Sequence, residues 1–319
     1  MANIFDYIAW RGDLGFRESP FNPVDNIILT HVAYFPFDGI VPGPEEKRCL
    51  TIAEAARQAA AVLERDSNAF GDRLIFKDDP ALLASLGASE RYGGLELTGF
   101  VNQIDLNAEK QFSALTILSC DKAALVSFRG TDNTIVGWKE DFNMSFSTPI
   151  PAQIEAAAYL EKMAARIRGS LRVGGHSKGG NLAIYAAAFC DTKIRRRIRA
   201  VYSNDAPGFS RAVIASPGYR AISGRIQSFV PQSSVVGMLF EHEEDYTVVR
   251  SAQTGLMQHD VYSWQVTRND VERLDQVTEG SRFMDRTLKE WIGGLSREEL
   301  RRFSDTLYSI LSSTQADSL

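Results

Sequence analysis

Gly174-Gly175-His176-Ser177-Lys178-Gly179-Gly180 contains the pattern G-x-S-x-G at residues 175–179. An apolar approach, Leu171-Arg172-Val173, precedes it, and the helix-forming run Asn181 to Ala188 follows. Strand, tight turn and helix in that order are the context of a nucleophile elbow. On such a turn the residues two before and two after the serine must lack a Cβ, a demand that Gly175 and Gly179 meet. The helix N-terminus behind the serine offers unpaired N–H groups and a positive dipole end to a developing oxyanion. The plainer alternative is a glycine-rich turn that binds a phosphate. Neither G-x-x-x-x-G-K-[ST] nor G-x-G-x-x-G can be laid over these residues, which favours an exposed nucleophilic serine at Ser177.

Outward from the elbow, strand and helix signals alternate. Leu95 to Ile104 alternates apolar and polar residues with period two, and Gln111 to Leu118 and Ala123 to Phe128 read as two further strands. Ile154, Ala157, Leu160 and Met163 have helical spacing within 151–168. Strands are expected at 199–203, 225–230 and 246–250, helices at 233–240 and 284–311. This order predicts an α/β fold, a mostly parallel sheet with helices on both faces. Residues 1–90 read as helical and irregular, forming an N-terminal cap or extension, and residues 91–319 as the core, the two making one structural unit. Within the first part, Pro23 suits a first helical position, Thr51 to Glu54 forms a capping box, and a short helix from Pro80 is closed by Gly87.

An acyl-transfer serine needs a base, a group that orients the base, and oxyanion donors. The chain has four histidines. His31 lies far upstream and reads as structural, and His176 adjoins the serine on a turn where neighbouring side chains diverge. His242 sits in the acidic stretch Glu241 to Asp245, whereas His259 lies in a loop after the last short strand. His259 is the favoured base and His242 the competitor. For the acid, Asp205 follows the strand ending at Ser203, although an aspartate before Pro207-Gly208 can equally cap a turn. Glu241, Asp245 and Asp260 compete, and a dyad without an acid is conceivable. The N–H of Lys178 is one expected oxyanion donor. The other is Thr131, after the strand ending in Phe128-Arg129-Gly130, where the alternative is a turn with no ligand role.

Val126-Ser127-Phe128-Arg129-Gly130-Thr131-Asp132, followed by Gly137-Trp138-Lys139-Glu140-Asp141-Phe142, resembles the F-R-G-T…W…D segment of class 3 (fungal-type) lipases. Residues 175–180 match their G-H-S-x-G-[GA] elbow, and the spacing between the blocks agrees. The resemblance spans roughly residues 95–265. The whole chain is similar to an uncharacterised bacterial domain-of-unknown-function family of the α/β-hydrolase superfamily, through Asp6 to Asp13 and Asn204-Asp205-x-Pro207-Gly208-Phe209 as well. It implies an α/β-hydrolase fold, with Ser177 as nucleophile, His259 as base, Thr131 and Lys178 as oxyanion donors, and an acyl ester as substrate. One departure stands out. Class 3 lipases keep their acid in an N-D-x-V-P segment after the next strand, and the corresponding Val230 to Val236 has no carboxylate. Asp205 stands instead where pancreatic-type lipases place theirs.

Composition bounds the rest. With 319 residues, 44% hydrophobic and 24% charged, the chain reads as an ordinary globular protein. A net charge of −5 argues against nucleic acid as a main partner; the basic run Lys193 to Arg199 reads as a solvated helix end. Cys49, Cys120 and Cys190 are odd in number and widely spaced, so they suggest small buried residues, no metal site, and a cytoplasmic location. No signal peptide and no membrane-length apolar run is apparent, and the expected chemistry needs no cofactor. Oligomeric state and acyl length are not encoded legibly. A hydrolase-fold binding or scaffold protein is the competing reading, and thioesters, amides or lactones would suit the same machinery.

Overall fold

A computed structural model describes residues 2–119, 123–132, 135–144 and 147–312. The strands are β1 (Leu50–Thr51), β2 (Glu96–Asp105), β3 (Lys110–Leu118), β4 (Ala123–Phe128), β5 (Ser170–His176), β6 (Ile198–Asn204), β7 (Ile226–Pro231), β8 (Tyr246–Val249) and β9 (Arg273–Leu274). They lie in one sheet in chain order. From β4 to β8 the pairing is parallel, and both flanks are antiparallel. This mixed sheet with helices on both faces is an α/β-hydrolase fold.

The helices that precede the elbow are α1 (Ile4–Arg11), α2 (Pro23–His31), α3 (Ile52–Arg65), α4 (Asp79–Ala88), α5 (Ile135–Asn143) and α6 (Pro151–Arg166). Those that follow it are α7 (Lys178–Phe189), the short α8 (Thr192–Arg195), α9 (Arg211–Ile214) and α10 (Pro217–Arg220), then α11 (Glu279–Gly293) and α12 (Arg297–Ser312). Alternation along the strands divides the core. Leu125, Tyr202 and Phe229 join the side chains of α1 to α4 in one apolar cluster, while Ala124, Val126, Val173 and Val201 join those of α6 and α7 in another. The N-terminal helices therefore cover one face of the sheet. α2 is pinned there by polar contacts: Asn26 Nδ2 donates to Asn204 Oδ1 (2.9 Å), and Ser127 Oγ donates to the Thr30 carbonyl (2.9 Å).

Local expectations hold where the signal is a helix N-terminus. Asn22 and Asp25 close a capping box ahead of Pro23, as Thr51 and Glu54 do for α3. Three differ. Gly87 does not end α4 but lies inside it, because a Cβ there would sit 2.7 Å from Ala56 Cβ of α3. The helix expected at 233–240 is only a 3-10 turn at Val236–Met238, since Ser234 and Gly237 spend their donors on a carboxylate described below. The tail helix is two helices, with Ser296 and Glu299 forming a new capping box at the break.

Cys190 is buried, Cys49 is exposed contrary to expectation, and Cys120 lies outside the described residues. The basic run has a structural role: Arg195 donates to the Cys190 carbonyl (2.9 Å) and Arg197 to the Ala164 carbonyl (2.7 Å), satisfying helix ends. Among the described residues no helix is long and apolar enough to cross a membrane, and no His, Cys, Asp or Glu cluster is placed to hold a metal ion.

Candidate active site

Parallel register aligns three strand ends. Phe128 of β4 pairs with Gly175 of β5, and His176 pairs with Asn204 of β6. Thr131, Ser177 and Asp205 therefore leave the same, carboxyl edge of the sheet. Ser177 sits at φ 58°, ψ −136°, a strained conformation for a residue with a side chain. The close approach of β5 and α7 enforces it. A Cβ on Gly175 would lie 2.3 Å from the Gly179 carbonyl carbon, and one on Gly179 would lie 2.1 Å from the Phe128 carbonyl oxygen. Gly180 N–H donates back to the Ser177 carbonyl (2.9 Å), which starts the helix.

Asp205 also holds a positive φ, 49°, and its N–H donates to the Phe229 carbonyl (2.7 Å). This directs its carboxylate under the loop that carries His259. His259 Nδ1 lies 2.6 Å from Asp205 Oδ2, and the carboxylate is only 1% exposed. A carboxylate oxygen accepts only, so Nδ1 carries a proton and, in the neutral ring, Nε2 is the nitrogen without one. The other carboxylate oxygen accepts from Ser234 Oγ (2.5 Å) and from Gly237 N–H (3.1 Å). A Cβ on Gly237 would lie 2.3 Å from Asp205 Oδ1. Sequence reasoning missed Ser234 and Gly237. The clue was the missing carboxylate in Val230 to Val236: that segment supplies donors to an acid held on the neighbouring strand. Two of the competitors, His242 and Asp260, are engaged elsewhere. His242 Nδ1 lies 3.2 Å from Glu244 Oε1, and Asp260 caps the turn at Tyr262.

Thr131 lies at the end of the loop after β4. Its Oγ1 donates to Asp141 Oδ2 (2.5 Å), so the hydroxyl is engaged by a carboxylate of α5. Lys178, expected to act through its N–H, also has a buried side chain. Its Nζ donates to Glu140 Oε2 (3.0 Å), Gln111 Oε1 (2.7 Å) and the Gln111 carbonyl (3.1 Å), and lies 3.9 Å from Asp141 Oδ1. Glu140 accepts two backbone N–H groups as well, from Gln111 (3.1 Å) and Ala152 (3.0 Å). Burial raises the Asp141 pKa to about 6, against the pull of Lys178. None of this network was read from the sequence, where Lys178 stood as the variable position of the motif.

Ser177, Thr131, Lys178 and His259 line one cavity of about 470 Å³. Its walls are mostly apolar and come from distant segments: Ile75 and Phe76 before α4, Phe142 and Met144, Val235, Val236, Leu239 and Phe240 after β7, and Trp291, Leu300 and Phe303 of the C-terminal helices. Phe303 packs edge-on against both Phe142 (5.9 Å) and Trp291 (5.5 Å). A site of that volume suits a small organic ligand, within the usual range of about 300–1,000 Å³.

A family model described as Mbeg1-like matches residues 86–309, well over half of the chain and all of the elbow, acid and histidine segments. The chain belongs to the Mbeg1-like family. No curated protein matches it. Solved structures similar to this Mbeg1-like chain include the native Rhizomucor miehei lipase propeptide complex, at 14% identity over 63% of this chain and 70% of that one, TM-score 0.37. Another is a mutant form of MDLA from Penicillium cyclopium, at 12% identity over 80% and 86%, TM-score 0.44. A third is the nonglycosylated Yarrowia lipolytica LIP2 lipase, at 12% identity over 75% and 81%, TM-score 0.43. The chemistry of the Mbeg1-like chain rests on its own residues.

Proposed function

We propose that this protein is a serine hydrolase of carboxylic esters with an apolar acyl group. The observation that carries the reading is the His259–Asp205 contact of 2.6 Å at the cavity that Ser177 also lines. Ser177 Oγ attacks the ester carbonyl and its proton passes to His259 Nε2. Asp205 holds the ring in the required tautomer and stabilises the imidazolium. The N–H groups of Lys178 and Thr131 stabilise the oxyanion. Collapse expels the alcohol, which takes the proton from His259. Water, deprotonated by the same imidazole, then attacks the acyl-enzyme and releases the acid. The apolar walls favour burial of the acyl chain, worth about 0.8 kcal/mol per methylene.

The test is fluorophosphonate labelling of wild type, Ser177→Ala and His259→Ala, followed by a panel of p-nitrophenyl esters of graded acyl length. Wild type is expected to label, Ser177→Ala not at all, and His259→Ala at least about 10³-fold more slowly. Folded wild type that neither labels nor hydrolyses any ester of the panel would overturn the reading.

A further inference from the structure

Below the elbow lie two buried polar side chains that the reaction above does not use. Tyr34, in the 3-10 turn after α2, and His176, the last residue of β5, are each about 1% exposed. Their hydrogen bonds run in one forced direction. His176 Nε2 is 2.8 Å from the His259 carbonyl, which only accepts, so Nε2 bears the proton. Burial, aided by the neighbouring His259 and His31, holds the His176 pKa well below its usual value, so the ring is neutral and Nδ1 is bare. Nδ1 is then an acceptor for Tyr34 Oη, 2.9 Å away, a shorter contact than the one the same hydroxyl makes to the His176 carbonyl (3.2 Å). Tyr34 Oη in turn accepts the N–H of Gly130 (3.1 Å), the residue before Thr131.

The geometry points to Tyr34 and His176 as positioning residues that lock the oxyanion loop and the general base into one arrangement. The inference rests on the reading of Thr131 and His259 given above. Gly130 N–H, the Tyr34 hydroxyl, the His176 ring and the His259 carbonyl form one chain, with the nucleophile next to His176 in sequence. Asp205 fixes His259 by its ring, and His176 fixes it by its backbone, so both ends of the residue are held. Gly130 is shaped for this: a Cβ would lie 2.2 Å from Tyr34 Oη and 2.9 Å from Ser177 Cβ. The Tyr34 ring is clamped by His31 (centroids 4.9 Å) and Phe76 (5.2 Å), so the N-terminal segment serves as a buttress beneath the site.

The test uses three variants of the full chain. Tyr34→Phe removes the hydroxyl at nearly unchanged volume. His176→Asn keeps an acceptor near Nδ1 but loses the donor to His259, and His176→Gln keeps a donor near Nε2 but loses the acceptor. With p-nitrophenyl butyrate, Tyr34→Phe and His176→Asn are expected to lower kcat about ten- to a hundredfold with KM little changed. His176→Gln should recover part of the loss, and the Tyr34→Phe/His176→Asn double variant should be no worse than the poorer single one. A long-range proton–nitrogen NMR spectrum reads the rings without catalysis. His176 is expected as the neutral Nε2–H tautomer, and the His259 ring signals should move in Tyr34→Phe. A protonated or Nδ1–H His176 would overturn the relay. So would unchanged kcat together with unmoved His259 signals in Tyr34→Phe. Wild type that neither labels nor turns over, with the tautomer and the signal shift as expected, overturns the hydrolase reading alone.

Discussion

The two ends of the site are built on different physics. At the proposed acid–base end, Asp205 is buried among short-range donors: the His259 ring, the Ser234 hydroxyl and the Gly237 N–H. At the proposed oxyanion end, Thr131 stands against a cluster of ionisable side chains, Asp141, Lys178 and Glu140, with Glu140 entirely buried. Hydrogen bonds to one carboxylate fix direction, which a base needs. A buried ion pair contributes field and rigidity, but only while both partners are present, because either alone is a costly buried charge. Damage to the first end should therefore be read in rate, and damage to the second in stability and pH dependence.

Asp205→Asn is the sharpest way to break that contrast. The amide keeps the volume but accepts on one atom only, so it cannot both receive Nδ1–H and serve Ser234 and Gly237. His259 is then free to take the wrong tautomer, and kcat should fall by about 10⁴-fold with the melting temperature only slightly lowered. Ester hydrolysis and thermal unfolding of the same preparation check it; a mild rate effect with a large loss of stability would reverse the assignment of the two ends.

Lys178→Met should show the opposite balance. It strands Glu140 and removes the donor to Gln111, costing about 3–5 kcal/mol of folding stability. Adding Glu140→Gln should recover part of that in urea unfolding, because it removes the stranded buried charge; the recovery is partial, since the Gln111 and Ala152 N–H groups fall on different oxygens of Glu140 and an amide receives only one of them. If the double variant is no more stable than the single one, the buried charge is not what makes the loss.

The same contrast explains what could be read from the sequence. Gly175, Ser177 and Gly179 were legible because their constraint is local: a turn this tight excludes a Cβ within two residues. The elbow then fixed where β5 and α7 must lie, and period-two alternation located most of the other strands. Asp205 and His259 could be nominated as partners by chain order, but the geometry of their contact could not be read, since it spans 54 residues and depends on the register of β6 with β7. Ser234 and Gly237 were hidden in a stretch whose composition suggests a helix, because wrapping around a carboxylate leaves no periodic trace. Lys178 to Glu140 was invisible for a similar reason: a lysine after the motif serine looks solvated until α5 is folded over it. The two-residue edge strands β1 and β9 are too short to carry a pattern at all.

Asp141 offers the subtlest test. Its pKa is raised by burial to about 6, so between the unfolded value near 4 and this folded value the native state binds the extra proton. Wild type should therefore lose stability from this group as pH rises from about 4 to about 6, against the usual trend for paired carboxylates. Asp141→Asn should remove that component, so the variant gains relative to wild type across the same window, read by urea unfolding at pH 4.5 and pH 7. Activity should respond in the other direction. Above pH 6 the ionised carboxylate accepts the Thr131 hydroxyl and fixes the loop; below it, protonation loosens that acceptor. In Asp141→Asn the acidic limb of kcat should lose the contribution near pH 6. If the profile and the stability window are both unchanged, the oxyanion end is governed by Lys178 and Glu140 alone, and the charge cluster narrows to a single pair.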